Sequence, residues 1–456
     1  MKYSKLAIDD PRKLIFGHAP YPVTARHGLT IGAGTVYPEL NFTLAETSVN
    51  RANLPGIVDQ YRSVSAAVLE RSAALGLEGV VIEFETLLEM TLEPDIGVEI
   101  TKVLSDACET AYTKYGLAAE LRLTPNDTRD YETPPRMRTS PYIDTMMQLF
   151  EQGARAGGNL LSIESTGGKE IHDDAVLTCD VKSAAFALLV LGVRDMEFLW
   201  RRIVDIAAAT GRIAGGDTAC GFANTSMVLA EKNYIPRVFA AVDRVLSIVR
   251  TLVAYEQGAV GPDKDCGYEG PFIKAITGIP ISMEGKTAAC AHLSQVGNIP
   301  AAACDLWSNE SVQNVMLLGA IAPVVSLEQL AYDARLMNAA TIAGTAGVLQ
   351  DLFVASDAPR DPQAFILAPE NVIEISRAIV SADTHLEAGL RGAKKALELM
   401  ENAVGSGRLA IGDREREWIP RIREELESIP TQEEQFVAMM EPLLEPGKTI
   451  LSEYGL

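Results

Sequence analysis

The chain has 456 residues, of which 47% are hydrophobic and only 6% aromatic, so it can build a large core and is not intrinsically disordered. Lys plus Arg total 40 against 61 for Asp plus Glu, a net charge of −21 that excludes nucleic-acid binding and a polybasic membrane anchor. The longest apolar runs, 184–193 and 315–325, are broken by Gly or Pro and fall short of the ~20 residues a bilayer span needs.

Met1 to Lys5 lead directly into Asp9-Asp10 with no apolar signal region, so a cytoplasmic protein with reduced cysteines is expected. Helical spacing of Ile57, Val58, Tyr61, Val64, Val68 and Leu69 predicts a first helix, stopped by Gly76. A nearly continuous apolar strand follows over 80–84, then a helix opened by Pro94 and closed by Gly116. A strand over 118–123, a helix over 143–156 and a strand over 160–163 continue the alternation. Shorter strand candidates lie at 212–216, 259–261, 281–284 and 301–304, with extra helices around 181–210. Together these strands approach the eight of a TIM-barrel-like α/β fold. From residue 326 the pattern is helical, over 327–348, 362–380 and 386–403. Pro359, Pro362 and Pro369 mark a boundary, giving a catalytic barrel over 1–355 and a C-terminal helical extension over 356–456 packed on it.

Three motif fragments fail on inspection. Gly32-Ala33-Gly34 lacks the third glycine of a dinucleotide fingerprint, where Tyr37 stands. Gly285-Lys286-Thr287 ends like a phosphate-binding loop, but the required earlier glycine is Pro280, which has no backbone N–H. Asp383-Thr384-His385 with Gly389 is one residue too long for a corrinoid-binding D-x-H-x-x-G signature. The five histidines form no metal-binding cluster.

One repeat does carry information. Residues 217–222 (DTACGF) and 263–268 (DKDCGY) both read D-x-x-C-G-aromatic, and each follows a glycine-bearing strand candidate. Cys220 and Cys266 can therefore sit on loops at one rim of a barrel, with Glu164, at the end of the 160–163 strand, as a third member. Two thiolates and a carboxylate suit Zn²⁺ with an open fourth position. The alternative is plain packing, since cysteine is among the most buried residue types and a glutamate at a strand end can cap a helix. Cys108, Cys179, Cys290 and Cys304 fit that packing role.

The segments Leu29-Thr30-Ile31-Gly32-Ala33-Gly34, Leu161-Ser162-Ile163-Glu164-Ser165 and the two D-x-x-C-G stretches resemble the methanol-specific methyltransferase subunit of methanol:corrinoid methyltransferase systems. The resemblance extends over the whole chain. It implies a TIM-barrel-like fold, one zinc held by Glu164, Cys220 and Cys266, and cobalamin presented in trans by a corrinoid-binding protein. The implied reaction passes the methyl group of methanol to cob(I)alamin, with the zinc acting as a Lewis acid on the alcohol oxygen. A homodimer within a larger complex is expected.

Methanol is a poor donor if its oxygen departs with extra charge, so the alcohol is expected to react neutral or to receive a proton. Asp217, Asp263 and Asp265 flank the cysteines as candidates, Asp217 first, either as proton donor or as support behind the ligands. Phe222 and Tyr268 are candidates to line a small apolar pocket or to seal a core. A TIM-barrel enzyme with Cys220 or Cys266 as nucleophile, and a non-catalytic helical scaffold, are the competing readings.

Overall fold

In the computed structural model, which describes all residues except 45–47 and 313–314, strand and helix alternate as the apolar periodicity predicts. An N-terminal antiparallel hairpin, β1 (His18–Thr24) and β2 (Thr30–Ala33), precedes seven parallel strands. These are β3 (Tyr37–Thr43), β4 (Gly79–Glu85), β5 (Ala118–Thr124), β6 (Leu160–Ile163), β7 (Ile213–Asp217), β8 (Ser282–Glu284) and β9 (Leu306–Val312). Their order is β7-β6-β5-β4-β3-β9-β8. Parallel neighbours need helical crossovers, supplied first by α1 (Leu54–Ala74), α2 (Pro94–Tyr115) and α3 (Tyr142–Ala156). Gly116 ends α2 in the left-handed conformation that its lack of Cβ permits.

The open edges β7 and β8 are bridged by the stretch expected as a strand at 259–261. It is extended but not a regular strand. Val260 N donates to Ala214 O at 2.8 Å, Gly261 N to Gly215 O at 2.9 Å, and Asp263 N to Pro280 O at 3.3 Å. Pro262 between them has no N–H to give, which interrupts the ladder. This segment occupies the eighth position and closes the barrel.

Two other expectations need correction. Residues 301–304 do not form a strand: Ile299–Ala302 is a 3₁₀ turn opened by Pro300, and the strand, β9, begins at Leu306. The helix expected over 327–348 breaks at Gly344, φ 70°, into α6 (Ala322–Ile342) and α7 (Ala346–Asp357). Pro369 likewise divides 362–380 into a short turn and α8 (Pro369–Val380). The insertion at 181–210 is helical throughout and ends in α4 (Val193–Thr210). Helix α5 (Arg237–Gln257) is buried along almost its whole length, with α9 (His385–Gly405) packed against it. Among the described residues, no helix is long and apolar enough to cross a membrane.

The barrel interior changes chemistry along its axis. At the N-terminal end Leu29 and Ile31 of the hairpin region plug it against Val81, Ala118, Leu160 and Leu306. One layer up, Arg122 Nε donates to Glu39 Oε1 at 2.6 Å, and Arg122 Nη1 donates to Ser162 Oγ at 2.8 Å and Pro262 O at 3.0 Å. Above this, Thr124 Oγ1 donates to Glu83 Oε1, and Ser308 to Asp265. Period-two alternation sends Glu83 and Glu85 inward while Val80, Ile82 and Phe84 join the core under the helices. The polar layers lie toward the C-terminal rim, where sites on such barrels assemble.

Candidate metal centre

Each of the three residues singled out from the sequence emerges at that rim. Glu164 directly follows β6, Cys220 follows β7, and Cys266 follows the closing segment 259–263. The structure brings them together: their ligand atoms lie within 4.8 Å of one another. The Cys266 thiol donates to Cys220 Sγ at 2.7 Å and approaches Glu164 Oε1 at 3.4 Å. Asn224 Nδ2 adds a contact to Cys220 Sγ at 3.5 Å.

The loop that aims Cys266 is conformationally forced. Cys266 and Tyr268 have φ of 71° and 58°, a region that side chains other than glycine adopt only when surroundings insist. The surroundings here are Glu269, whose Oε1 accepts from Ala219 N at 2.6 Å and Thr251 Oγ1 at 2.8 Å. Glu269, just after the second hexad, thereby holds the residue before Cys220, and the two repeats lock each other. Gly267 is what makes room: a Cβ there would stand 1.9 Å from Glu269 Oε2 and 2.2 Å from Thr218 Oγ1. Gly267→Ala is therefore expected to displace Glu269 and lower metal affinity about 10–100-fold, as outer-shell changes do. A chelator-competition titration would measure it, and an unchanged affinity would contradict the account.

Electrostatics at the pair run against free thiolates. The Cys266 thiol facing Cys220 favours the Cys220 thiolate, but burial and Glu164 outweigh it and push Cys220 well above the ordinary thiol value. Burial, the Cys220 sulfur and the nearby carboxylates Glu164 and Glu284 push Cys266 up as well. Two sulfurs, one buried and one half-buried, and a carboxylate this close need a cation or protons between them. Two Cys and one Glu, with Glu164 partly exposed, fit a Zn²⁺ site that keeps one position open.

Asp217 is fully buried. Its Oδ2 accepts from Ser165 Oγ at 2.6 Å and Trp200 Nε1 at 2.8 Å, and its Oδ1 from Ser165 N at 3.2 Å. It thus pins the residue after Glu164. Asp263 Oδ1 accepts from Ser282 N at 2.7 Å, which ties the closing segment to β8. Burial opposes the charge of Asp265, yet the Lys264 ammonium at 2.7 Å holds it below the usual carboxylate range. Phe222 lies in the core under the Arg250 guanidinium, with the His172 ring edge-on at 5.0 Å. Tyr268 is buried too, and its hydroxyl donates to Glu284 Oε2 at 3.2 Å.

The sequence reading missed the charged setting of this centre. Lys264 is buried at 3.1 Å from Glu164, 3.3 Å from Glu83 and 3.7 Å from Glu85, and Glu284 and Glu310 complete the ring. Burial and Glu164 raise Glu85 to about 7, and burial and Glu85 raise Glu310 to about 8. The signal was available, since Glu85 and Glu284 end strands just as Glu164 follows one, and Lys264 lies inside the second hexad. Beside Glu164 a cleft of about 200 Å³ opens to solvent, lined by Glu85, Thr124, Asn126, Asp130 and Lys169 among others.

Fold and site together define a TIM-barrel protein with a thiol–carboxylate metal-type centre at its C-terminal rim. The model of the methanol-cobalamin methyltransferase B subunit family matches residues 1–454, and the chain belongs to that family. It is similar to the methanol–corrinoid protein co-methyltransferase of Methanosarcina barkeri (strain Fusaro / DSM 804), at 37% identity over 443 residues, covering 96% of this chain and 95% of the relative. It is also similar to the crystal structure of the methanol:cobalamin methyltransferase complex MtaBC from Methanosarcina barkeri. There the TM-score is 0.96 at 35% identity, covering 100% of this chain and 99% of that one.

Proposed function

We propose that this chain transfers the methyl group of methanol to cob(I)alamin carried by a separate corrinoid protein, at a Zn²⁺ site formed by Glu164, Cys220 and Cys266. The observation that carries this reading is the convergence of those three side chains from separate barrel loops to within 4.8 Å. When bound, the ion supplies Lewis acidity toward the alcohol oxygen, an effect of several kcal/mol. In the transfer, the Co(I) electron pair forms the Co–C bond as the C–O bond breaks, and the oxygen takes up one proton and leaves as water. The chain's task is to hold methanol in line and to keep its hydroxyl protonated. Glu85, Glu284 and Glu310 around the centre oppose a further negative charge, which favours the neutral alcohol.

Of the two roles open to Asp217, the positioning role is the better supported, because both its oxygens are occupied by Ser165 and Trp200. Asp217→Asn turns one acceptor into a donor facing donors, at a cost of about 1–3 kcal/mol in stability, and is expected to lower turnover about 10–100-fold. The pH–rate profile should keep its shape. A profile that loses its acid-dependent limb would assign Asp217 to proton delivery instead.

A cysteine-nucleophile reading needs a base beside the thiol. Here the groups in hydrogen-bond range of Cys220 and Cys266 are each other, Glu164 and Asn224, with carboxylates of Glu284 and Glu310 within 4.8 Å of the Cys266 sulfur. Burial in this anionic setting pushes both thiols up, where a nucleophile needs its proton removed. We further propose a homodimer, supported by exposed Tyr332, Leu336, Ile342, Val348 and Leu352 on the adjacent helices α6 and α7. Residues 356–456 are proposed as a helical extension on a barrel formed by 1–355. The decisive experiment incubates the protein with methanol and cob(I)alamin and follows methylcobalamin by its absorbance. Full turnover after thorough chelation would overturn the zinc reading.

A further inference from the structure

The loop that follows Glu164 gives backbone N–H groups to side chains from three distant parts of the chain. Ser165 N donates to Asp217 Oδ1 at 3.2 Å, and Thr166 N to Asp127 Oδ2 at 2.9 Å. Gly168 N donates to the Tyr454 hydroxyl oxygen at 2.9 Å, across 286 residues of sequence. That hydroxyl in turn donates to Glu170 Oε1 at 2.9 Å, so it both accepts and donates. Tyr454 is fully buried, and burial together with Glu170 pushes its hydroxyl well up, which keeps the proton in place. Its neighbours anchor it. Glu453 accepts from Arg138 N at 2.7 Å and Thr139 N at 3.0 Å, and Arg138 Nη2 donates to Tyr454 O at 3.0 Å. Arg194 of α4 donates to Gly455 O at 3.2 Å.

The loop has no slack elsewhere. A Cβ at Gly167 would stand 2.3 Å from Asp195 Oδ2, and Asp195 is held by Arg129, which also holds Asp127. Gly168 has φ 90°, and a Cβ there would stand 2.6 Å from Ala187 O. Gly168 also opens the helix Lys169–Thr178, whose Lys169 Nζ donates at 3.2 Å to Gly221 O, the carbonyl directly after Cys220. A shift at Gly168 is therefore felt by Glu164 at the start of the loop and by Cys220 through Lys169.

We propose that Tyr454 is a positioning residue for the methyl-transfer centre: its hydroxyl fixes Gly168, and through Gly168 the Glu164 carboxylate and the Cys220 loop. It acts through the loop and not on the ion itself. The inference rests on the proposed Glu164–Cys220–Cys266 site, since the set of the loop matters to the reaction only if Glu164 is a ligand. Tyr454→Phe keeps the ring that fills the core and removes only the oxygen, which leaves Gly168 N without its acceptor. A Glu164 carboxylate that is no longer aimed holds the ion about 10–100-fold less tightly, as when other groups that orient a ligand are lost.

The test compares full-length wild type, Y454F and K448M. Lys448 lies on the same stretch as Tyr454 and pairs with Asp174 at the surface, so K448M reports what a general loosening of that stretch does. Hydrogen exchange of residues 165–170 in the metal-free proteins reads the Tyr454–Gly168 bond by itself. Titration with Zn²⁺ against a chelator then reads its effect on the site. Y454F is expected to exchange this segment about tenfold faster than wild type and to bind Zn²⁺ about 10–100-fold more weakly. With Zn²⁺ saturating, its kcat for methylcobalamin formation is expected to fall about tenfold. K448M is expected to stay within about twofold of wild type throughout, as the loss of an exposed ion pair allows. A Y454F protein that exchanges faster yet binds Zn²⁺ and turns over like wild type would overturn the positioning role, leave a core-filling one, and let the zinc site stand. Equal losses in Y454F and K448M would overturn it too, by assigning the effect to the whole stretch. A wild type that takes up no Zn²⁺ would overturn the zinc site and the positioning role together.

Discussion

Cys220→Ser and Cys266→Ser are each expected to yield a folded protein that retains little metal and loses at least about a thousandfold in methyl transfer. That figure follows if the ion contributes several kcal/mol and each ~1.4 kcal/mol is tenfold in rate. A serine hydroxyl fills nearly the same space but does not shed its proton near neutral pH, so the anionic ligand disappears while the loop stays in place. Cys266→Ser should be the worse of the two, because that sulfur faces both Cys220 and Glu164. The same reasoning fixes a pH dependence. Both thiols are held above the ordinary value in the metal-free protein, so their protons compete with the ion through the neutral range. Loading then releases about two protons, and apparent affinity rises about 100-fold per pH unit below those values, falling as pH falls. Metal content by mass spectrometry, proton release in weak buffer and methylcobalamin formation are the three measurements. Normal metal content in Cys266→Ser would sink the assignment.

The part of this centre that could be read from the sequence is the part built from rare residues in a repeated context. Cysteine followed by glycine, twice, after glycine-bearing strands, is an uncommon arrangement, and the structure puts both sulfurs at one rim. Strands β4, β5 and β6 were legible because their outward residues are strongly apolar and fill the core under the helices. Strand β3 was not. Its inward residues are Glu39 and Asn41, its second residue is Pro38, and such a segment reads as surface until the polar barrel interior is known. Strand β9 hides in the same way, with Ser308 and Glu310 inward, so the prediction settled on the more apolar stretch just before it. Lys264 was passed over because a lysine between two aspartates looks solvated. Burial reverses that expectation, since a lysine fully inside a protein is retained only where carboxylates surround it.

The largest expected loss of stability lies beneath the site, at the Arg122–Glu39 pair. Both side chains are fully buried, and Arg122 makes four hydrogen-bond contacts: two to Glu39, one to Ser162 and one to Pro262 O. Glu39 also accepts from Ser282 of β8. The pair therefore ties β3, β5, β6 and β8 to the closing segment, at the point where Pro262 cannot donate to either neighbour. Glu39→Ala leaves a guanidinium buried without its counter-charge and is expected to cost about 3–5 kcal/mol, a large share of the 5–15 kcal/mol typical of a folded domain. Arg122→Met should cost as much or more, since it also strips the Pro262 carbonyl of its partner and loosens the segment that carries Cys266. Replacing both, as Glu39→Leu with Arg122→Met, removes both charges together and should recover most of the loss. Urea unfolding of the metal-loaded protein would rank the four chains as wild type, then the double variant, then the two single variants. Single variants within about 1 kcal/mol of wild type, the range of an exposed ion pair, would show that other contacts close the barrel.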